Sequence, residues 1–398
     1  MLLTKEPTLK NNYRIESIDI LRGIVMVIMA LDHVRDFFHA DSLIGHDPLD
    51  FNTTWPFLFF TRWITHYCAP VFVFLSGTSV FLYSQRRRTK KQVAFFLFTR
   101  GLWLMLAEIL IVNFFWEFNF GYFLMLQVIW AIGLSMVVLA LLQFLPYKIL
   151  LVMGFAIVFG HNLLDGIRIE QPFIASLGWS IVHVPHPYQI PPHLFLFVAY
   201  PFLPWLGLMI IGYGLGRLYK KEMEPHYRRN FLLIAGIIAV CLFIVLRFIN
   251  YYGDAQMWKP QRTALFTLFD FVNTTKYPPS LLYMLMTIGP ALIILSVTEK
   301  ASNWFSRFVI IYGKVPFFYY LLHVLLIHIV AIIFYLVSGR GTGAVNFPGA
   351  ENAPADSGYS LWVVYLVWVG VILILYFPCK WYGRYKADHP EKKWLSYL

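Results

Sequence analysis

The 398 residues are 59% hydrophobic and 19% aromatic, and only 13% are charged, about half the charged share of a soluble domain. A soluble fold cannot hide that much apolar surface, so the composition excludes this class. The net charge of +11 would suit nucleic acid, but the basic residues follow a membrane-topology rule instead, and no nucleic-acid partner is expected.

Apolar stretches at 20–34, 68–83, 93–115, 122–145, 149–160, 194–216, 231–249, 280–297, 316–337 and 361–378 are mostly long enough to cross a hydrocarbon core, which takes about 20 helical residues. They predict an all-α bundle of about ten transmembrane helices, because lipid leaves only helices or closed barrels, and the runs lack a barrel's alternation. No internal repeat, low-complexity tract or soluble domain interrupts them, so 1–398 reads as a single transmembrane domain. Lys5, Lys10 and Arg14 precede the first run, which contains Arg22, Asp32 and Arg35 and lacks a small-residue cleavage site. It is expected to stay in the mature protein.

Cations collect in alternate loops: Arg86, Arg87, Arg88, Lys90 and Lys91; then Arg217, Lys220, Lys221, Arg228 and Arg229; then Lys300, Arg307 and Lys314; then Lys380, Arg384, Lys386, Lys392 and Lys393 in the tail. Positive-inside bias makes this side, with both termini, cytoplasmic. The opposite loops at 39–56, 161–193, 250–277 and 338–359 are poor in cations and rich in His, Pro, Asn, Asp and Trp. Cys68, Cys241 and Cys379 form no close pair, which supports neither a disulfide framework nor a zinc knuckle.

Ionisable residues inside a span are costly, so each needs a partner or a task. At about 100° per residue, Asp19, Arg22, His33 and Asp36 fall on one stripe of the first helix. Arg22 lies toward the cytoplasmic side and His33 about 16 Å further along, a separation resembling the reach of a pantetheine arm. The end of this helix, LDHVRDFFH, stacks Asp32, Arg35, Asp36 and His39 on neighbouring faces. The plainer reading of Arg35 and His39 is an ion-paired helix end at the lipid interface.

The second span opens FFTRWITHYCAP. Arg62 and His66 are four apart and therefore share a face, while Pro70 can kink the helix and free a carbonyl. A short loop makes the first two helices antiparallel neighbours, so Arg62 and His66 can face Asp32, His33 and Asp36. The structural alternative for His66 is a histidine tethered to a backbone carbonyl. Further on, Asp254, Asn273, Lys276 and Tyr277 stand at a helix entrance, suited to hydrogen-bonding a polyhydroxylated acceptor or to anchoring at headgroup depth. His323 and His328 point about 140° apart on one span, which argues against a shared site and suggests a structural role for His328. No Gly-rich phosphate loop, GxSxG elbow or HExxH occurs, so hydrolase, nucleotidase and zincin readings lack support.

The strings SIDILRGIVMVIMALDHVRDFF, TRWITHYCAPVFVFLSGTS, YPFLPWLGLMIIGYGLG, NTTKYPPSLLYMLMTIGP and GKVPFFYYLLHVLLIH together resemble a bacterial branch of the heparan-alpha-glucosaminide N-acetyltransferase catalytic-domain family. The resemblance implies about ten transmembrane helices that carry an acyl group from cytoplasmic acyl-CoA to a sugar on the far side, with an outer-facing catalytic histidine. In the wider superfamily of transmembrane acyltransferases an arginine is followed eleven positions later by that histidine, a spacing that Arg22 and His33 meet. The animal lysosomal enzyme instead resembles FRGIALILMVFVNY in this helix, with its histidine in the following loop, near His39 or His46 by loose alignment. His33 is therefore the first choice for the base, His66 the second, and His39 is held in reserve.

The resulting expectation is a multi-pass acyltransferase of a bacterial cytoplasmic membrane, using acetyl-CoA or another acyl-CoA as co-substrate and no metal. His33, oriented by Asp32 or Asp36, takes the proton of the acceptor; a covalent acyl-histidine route stays open. Arg22 and Arg35 hold the coenzyme, and Arg62, Asp254, Asn273, Lys276 and Tyr277 the saccharide. Membrane lipid surrounds the bundle, and a homodimer stays open as its assembly. The alternatives are a proton-coupled transporter using the same Asp, His and Arg cluster, and a scaffold, which leaves the polar stripe without a reason.

Overall fold

A computed structural model describes residues 15–43, 45–85, 88–120, 122–339 and 358–397; Lys5, Lys10, Arg14, Arg86, Arg87 and most of the outer loop 338–359 lie outside them. In chain order the helices are α1 Glu16–Phe38, α2 Ala40–Leu43, α3 Pro56–Ile64, α4 Cys68–Ser84, α5 Lys90–Ala107, α6 Asn113–Glu117, α7 Val128–Leu142, α8 Tyr147–Gly160, α9 Phe173–Val182, α10 Phe202–Leu215, α11 Pro225–Ile249, α12 Ala264–Val272, α13 Leu281–Val297, α14 Trp304–Gly313, α15 Pro316–Val337 and α16 Leu361–Asp388. Every apolar stretch singled out in the sequence carries a helix. Six continuous helical segments are long and apolar enough to cross a membrane, and α7, α9 and α13 are shorter apolar helices. The charges of α1 account for its absence from the six, because it faces the bundle interior rather than lipid. The chain is an all-α, polytopic membrane protein.

Local chemistry sets the helix ends. Thr89 and Gln92 form a reciprocal capping box at the start of α5, Ser280, Asn303 and Thr263 cap α13, α14 and α12, and Pro56, Pro225 and Pro316 occupy first-turn positions where no N–H is needed. Outward faces are apolar: Phe95, Leu102 and Leu106 on α5, Ile238, Val245 and Phe248 on α11, and Leu366, Leu373 and Phe377 on α16 are exposed. Patches of that extent suit contact with acyl chains.

Helix α1 is the hub, packing against α4, α13, α14, α15 and α16. Two glycine pairs permit close approach. A Cβ on Gly313 of α14 would fall 1.9 Å from the Asp19 carbonyl oxygen of α1, and one on Gly23 would fall 2.0 Å from the Val309 carbonyl oxygen. Between α4 and α10, Cβ atoms on Gly77 and Gly212 would stand 2.0 Å from the Met209 and Phe74 carbonyl oxygens. Only glycine allows these backbones to meet.

The stretches 122–145 and 194–216 are not helical throughout. They open with strands β1 Phe123–Leu126 and β3 Leu194–Val198, which pair in parallel, and β2 His186–Ile190 adds antiparallel to β3. The physical cause is local. The chain widens into a π turn at Glu108–Val112, and the Asn113 side chain then accepts from Met125 N at 2.8 Å and donates to its oxygen at 3.1 Å, pairing β1 as a strand would. Buried Glu108 accepts from Trp130 N at 3.1 Å in the first turn of α7. This small sheet covers the end of the bundle away from the basic tail.

Candidate active site

At that end of α1 a cavity of about 380 Å³ opens. Asp32, His33, Arg35 and Asp36 reach it from α1, Arg62 from α3, Lys276 and Tyr277 from the loop before α13, and Trp116, Tyr200 and Tyr320 complete much of its wall. The outer half of the polar stripe on α1 therefore faces an internal space, and Arg62 joins it from the neighbouring helix as the short connection allows.

His33 is positioned from α15. Its Nδ1 lies 2.8 Å from His323 Nε2, and the two rings are within 15° of parallel with centroids 4.8 Å apart, joined edge to edge. His323 Nδ1 lies 3.0 Å from the Tyr319 carbonyl oxygen. A carbonyl only accepts, so His323 Nδ1 is the donor; in a neutral ring its Nε2 is then an acceptor. His33 must donate from Nδ1, which leaves the lone pair on its Nε2. That nitrogen has no hydrogen-bond partner among the described residues, and the ring, set edge-on to Trp116 at 4.8 Å, forms part of the cavity wall.

The carboxylates of α1 are engaged by guanidinium groups. Asp32 contacts Arg62 Nη1 at 2.9 and 3.1 Å and Arg35 Nη1 at 2.9 Å, while Asp36 lies 2.5 Å from Arg35 Nη2. Counting Lys276, the cavity holds three cations against two carboxylates. Lys276 sits over the rings of Tyr277 and Tyr200, 5.1 and 6.0 Å from their centroids. The hydroxyls of these tyrosines are 3.5 Å apart. Desolvation pushes the Tyr277 phenol up, but Lys276 and Arg62 outweigh it and hold the group below the usual tyrosine value. Burial, with Tyr277 adding to it, pushes Tyr200 well above that value.

The other candidates are placed as follows. Arg22 is inside the bundle but off the cavity wall: it contacts Asp19 at 3.3 Å and donates to the Gly313 oxygen at 3.2 Å and to Ser79 Oγ at 2.9 Å. Asp254 accepts from Thr275 N at 3.0 Å, Thr275 Oγ1 at 2.7 Å and Ser280 Oγ at 2.7 Å. Its carboxylate thus folds the loop that presents Lys276 and Tyr277. The Asn273 carbonyl accepts from Arg247 at 2.7 Å, away from the cavity lining. His46 lines the cavity; His39 does not. His328 bonds the Phe115 carbonyl at 2.7 Å and stacks on Phe118, a packing role.

Arg62 lines the cavity and His66 does not. The helix tightens into a 3₁₀ turn at Thr65–Tyr67, which adds rotation per residue, so Arg62 reaches the cavity while His66 turns toward Tyr283, 5.5 Å between ring centroids. Pro70 has no N–H for the His66 carbonyl, and that oxygen accepts instead from Tyr283 Oη at 2.8 Å. The His66 ring is buried, and neither nitrogen has a hydrogen-bond partner among the described residues.

Sequence reasoning singled out His323 without joining it to His33, and it missed Trp116 and Tyr320. A signal existed for the first: Tyr319 and Tyr320 precede His323 by four and three positions, placing three polar rings on one face of an otherwise apolar span.

At the opposite end of α1 a second cavity, of about 500 Å³, is lined by Glu16, Arg307, Lys314, Lys380 and Arg384. Glu16 and His33 are separated by about 25 Å along the helix, and Arg22 lies between them.

A bundle of this kind, with a histidine and a cluster of cations around an internal cavity, has the form of a membrane-embedded transfer site. The catalytic family of heparan-alpha-glucosaminide N-acetyltransferase matches residues 14–252, more than half of the chain, and the protein belongs to that family. It is a multi-pass membrane acetyltransferase of this general kind. No curated protein matches the chain.

Proposed function

We propose that the protein takes an acyl group, in the first instance acetyl, from acyl-CoA at the basic, cytoplasmic end of the bundle and transfers it to a saccharide amine or hydroxyl entering from the other side, in a bacterial cytoplasmic membrane. The observation that carries this reading is His33: its Nδ1 is locked by His323 and its ring lines a cation-rich cavity.

His33 Nε2 accepts the proton of the acceptor as the acceptor's nitrogen or oxygen attacks the thioester carbonyl; the new C–N or C–O bond forms, the C–S bond breaks, and the coenzyme leaves as thiolate, which takes that proton back from His33. Arg62, Lys276 and Tyr277 supply donors for the oxyanion and for the acceptor's hydroxyls. Asp32 and Asp36 act by setting the two guanidinium groups and by offsetting the positive charge that His33 acquires. Arg35, at the cavity, and Arg22, between the two cavities, are the cations placed to meet the coenzyme arm. Arg307, Lys314, Lys380 and Arg384 suit its phosphates. Family membership supports transfer over proton-coupled transport.

The test is acyl-CoA binding by the purified protein in detergent. Acetyl-CoA raises the melting temperature, by an amount that grows with its concentration, whereas desulfo or dephosphorylated fragments raise it less. No shift at any concentration would reject the reading.

A further inference from the structure

The strongest cluster outside the cavity lies in the outer loop 161–193. His161 begins a 3₁₀ turn, His161–Leu164, at the end of α8; Asp165 closes that turn, and His183 closes α9. One ligand atom from each of the three residues lies within 4.8 Å of the other two. His183 Nε2 is 2.8 Å from Asp165 Oδ1. His161 is 2% exposed and His183 wholly buried, yet neither nitrogen of His161 and not Nδ1 of His183 has a hydrogen-bond partner among the described residues. Leaving such buried groups unsatisfied is costly, so this corner of the molecule is built for a partner that binds lone pairs.

We propose that His161, Asp165 and His183 form a binding site for one divalent transition-metal ion, zinc above all. Two imidazoles and a carboxylate suit borderline ions such as zinc, cobalt or nickel; calcium and magnesium prefer all-oxygen sites. The 2.8 Å contact between His183 and Asp165 opens slightly as both turn to the ion, His161 supplies the third bond, and water completes the tetrahedron. Asp165 is partly exposed on the outer side, which gives the ion its entry. The second Asp165 oxygen accepts from Asn162 Nδ2 at 2.8 Å, and Asn162 Oδ1 accepts from Leu281 N at 2.9 Å. This outer support orients the carboxylate and ties the site to the start of α13.

The ion clamps the end of α8 to the end of α9, just before β2. Since β2 pairs with β3, which together with the residues just after it brings Phe197, Ala199 and Tyr200 to the cavity, the clamp fixes one rim of the active site. Sequence spacing does not announce it, because the ligands come from two separate turns. The site stands independently of the acyltransferase reading.

The test uses the full-length protein in detergent, stripped with a chelator and then given zinc or cobalt alone. One equivalent of zinc stays bound through desalting, the melting temperature rises, and cobalt gives the intense visible bands of a tetrahedral site. Asp165→Asn weakens retention at least tenfold and the double variant His161→Ala/His183→Ala abolishes it, while His193→Ala, at an exposed histidine of the same region, leaves it unchanged. Wild-type protein with no zinc-dependent melting shift and no tetrahedral cobalt spectrum overturns the proposal, as does undiminished retention in the double variant. The cobalt spectrum needs no variant, so misfolding of a mutant cannot mask the result.

Discussion

His33 Nδ1 and His323 Nε2 lie 2.8 Å apart, joining α1 to α15. Because the Tyr319 carbonyl fixes the donor on His323, this contact selects the His33 tautomer that keeps its lone pair on Nε2, in a ring that lines the cavity. His323→Leu removes the acceptor and lets the ring flip or change tautomer. The expected loss in kcat is roughly 10²-fold or more, below the ~10⁴ seen when a catalytic base is left in the wrong tautomer, with little change in KM. His323→Gln, which can still accept, retains more activity. Unchanged kcat in His323→Leu would show that the pair does not position the base.

Asp32 sits between Arg35 and Arg62. Replacing it with Asn leaves two buried guanidinium groups short of their counter-charge, an imbalance worth about 3–5 kcal/mol for a buried pair. Asp32→Asn should therefore lower the melting temperature strongly, and adding Arg62→Gln should recover part of the loss. Thermal melts of both single variants and the double variant measure the coupling; simple additivity would mean the pair is solvent-screened.

Tyr277 is held below the usual tyrosine value by Lys276 and Arg62 against its desolvation. The unfolded chain keeps this proton up to the ordinary value of 10.0, so in the window just below 10 the unfolded state binds more protons, and this group's stabilising contribution grows as pH rises. It is lost as pH falls through the folded value. In a tyrosinate absorbance titration, Tyr277→Phe should remove the earliest-ionising phenol, and Lys276→Met should move it upward. Superimposable wild-type and Tyr277→Phe curves below pH 10 would contradict the assignment.

Much of the bundle was legible because lipid imposes one rule, internal satisfaction of every backbone group, on every long apolar run. The strands at Phe123–Leu126 and Leu194–Val198 were not, since their composition matches that of the helices they precede and only the Asn113 contact with Met125 marks the difference. The stripe on α1 was readable from helical period alone. The break at Thr65–Tyr67 was half visible: Pro70 announced a freed carbonyl, found at Tyr283 Oη, but not the extra rotation that turns His66 from the cavity toward Tyr283. His323 could not be placed, because its meeting with His33 joins residues 290 apart in sequence. Asp254, expected at an acceptor, is occupied by Thr275 and Ser280, a contact that local pattern does not reveal.

The central claim is that His33 is the group that moves the proton. Purified protein is supplied with labelled acetyl-CoA and amino-sugar-terminated saccharides, and acetyl transfer is compared between wild type and His33→Ala, with the acetyl-CoA melting shift recorded for each. The account predicts transfer by the wild type, a loss of about 10²–10⁴-fold in kcat for His33→Ala, and an acetyl-CoA shift that both proteins share. Transfer that survives His33→Ala undiminished would contradict it.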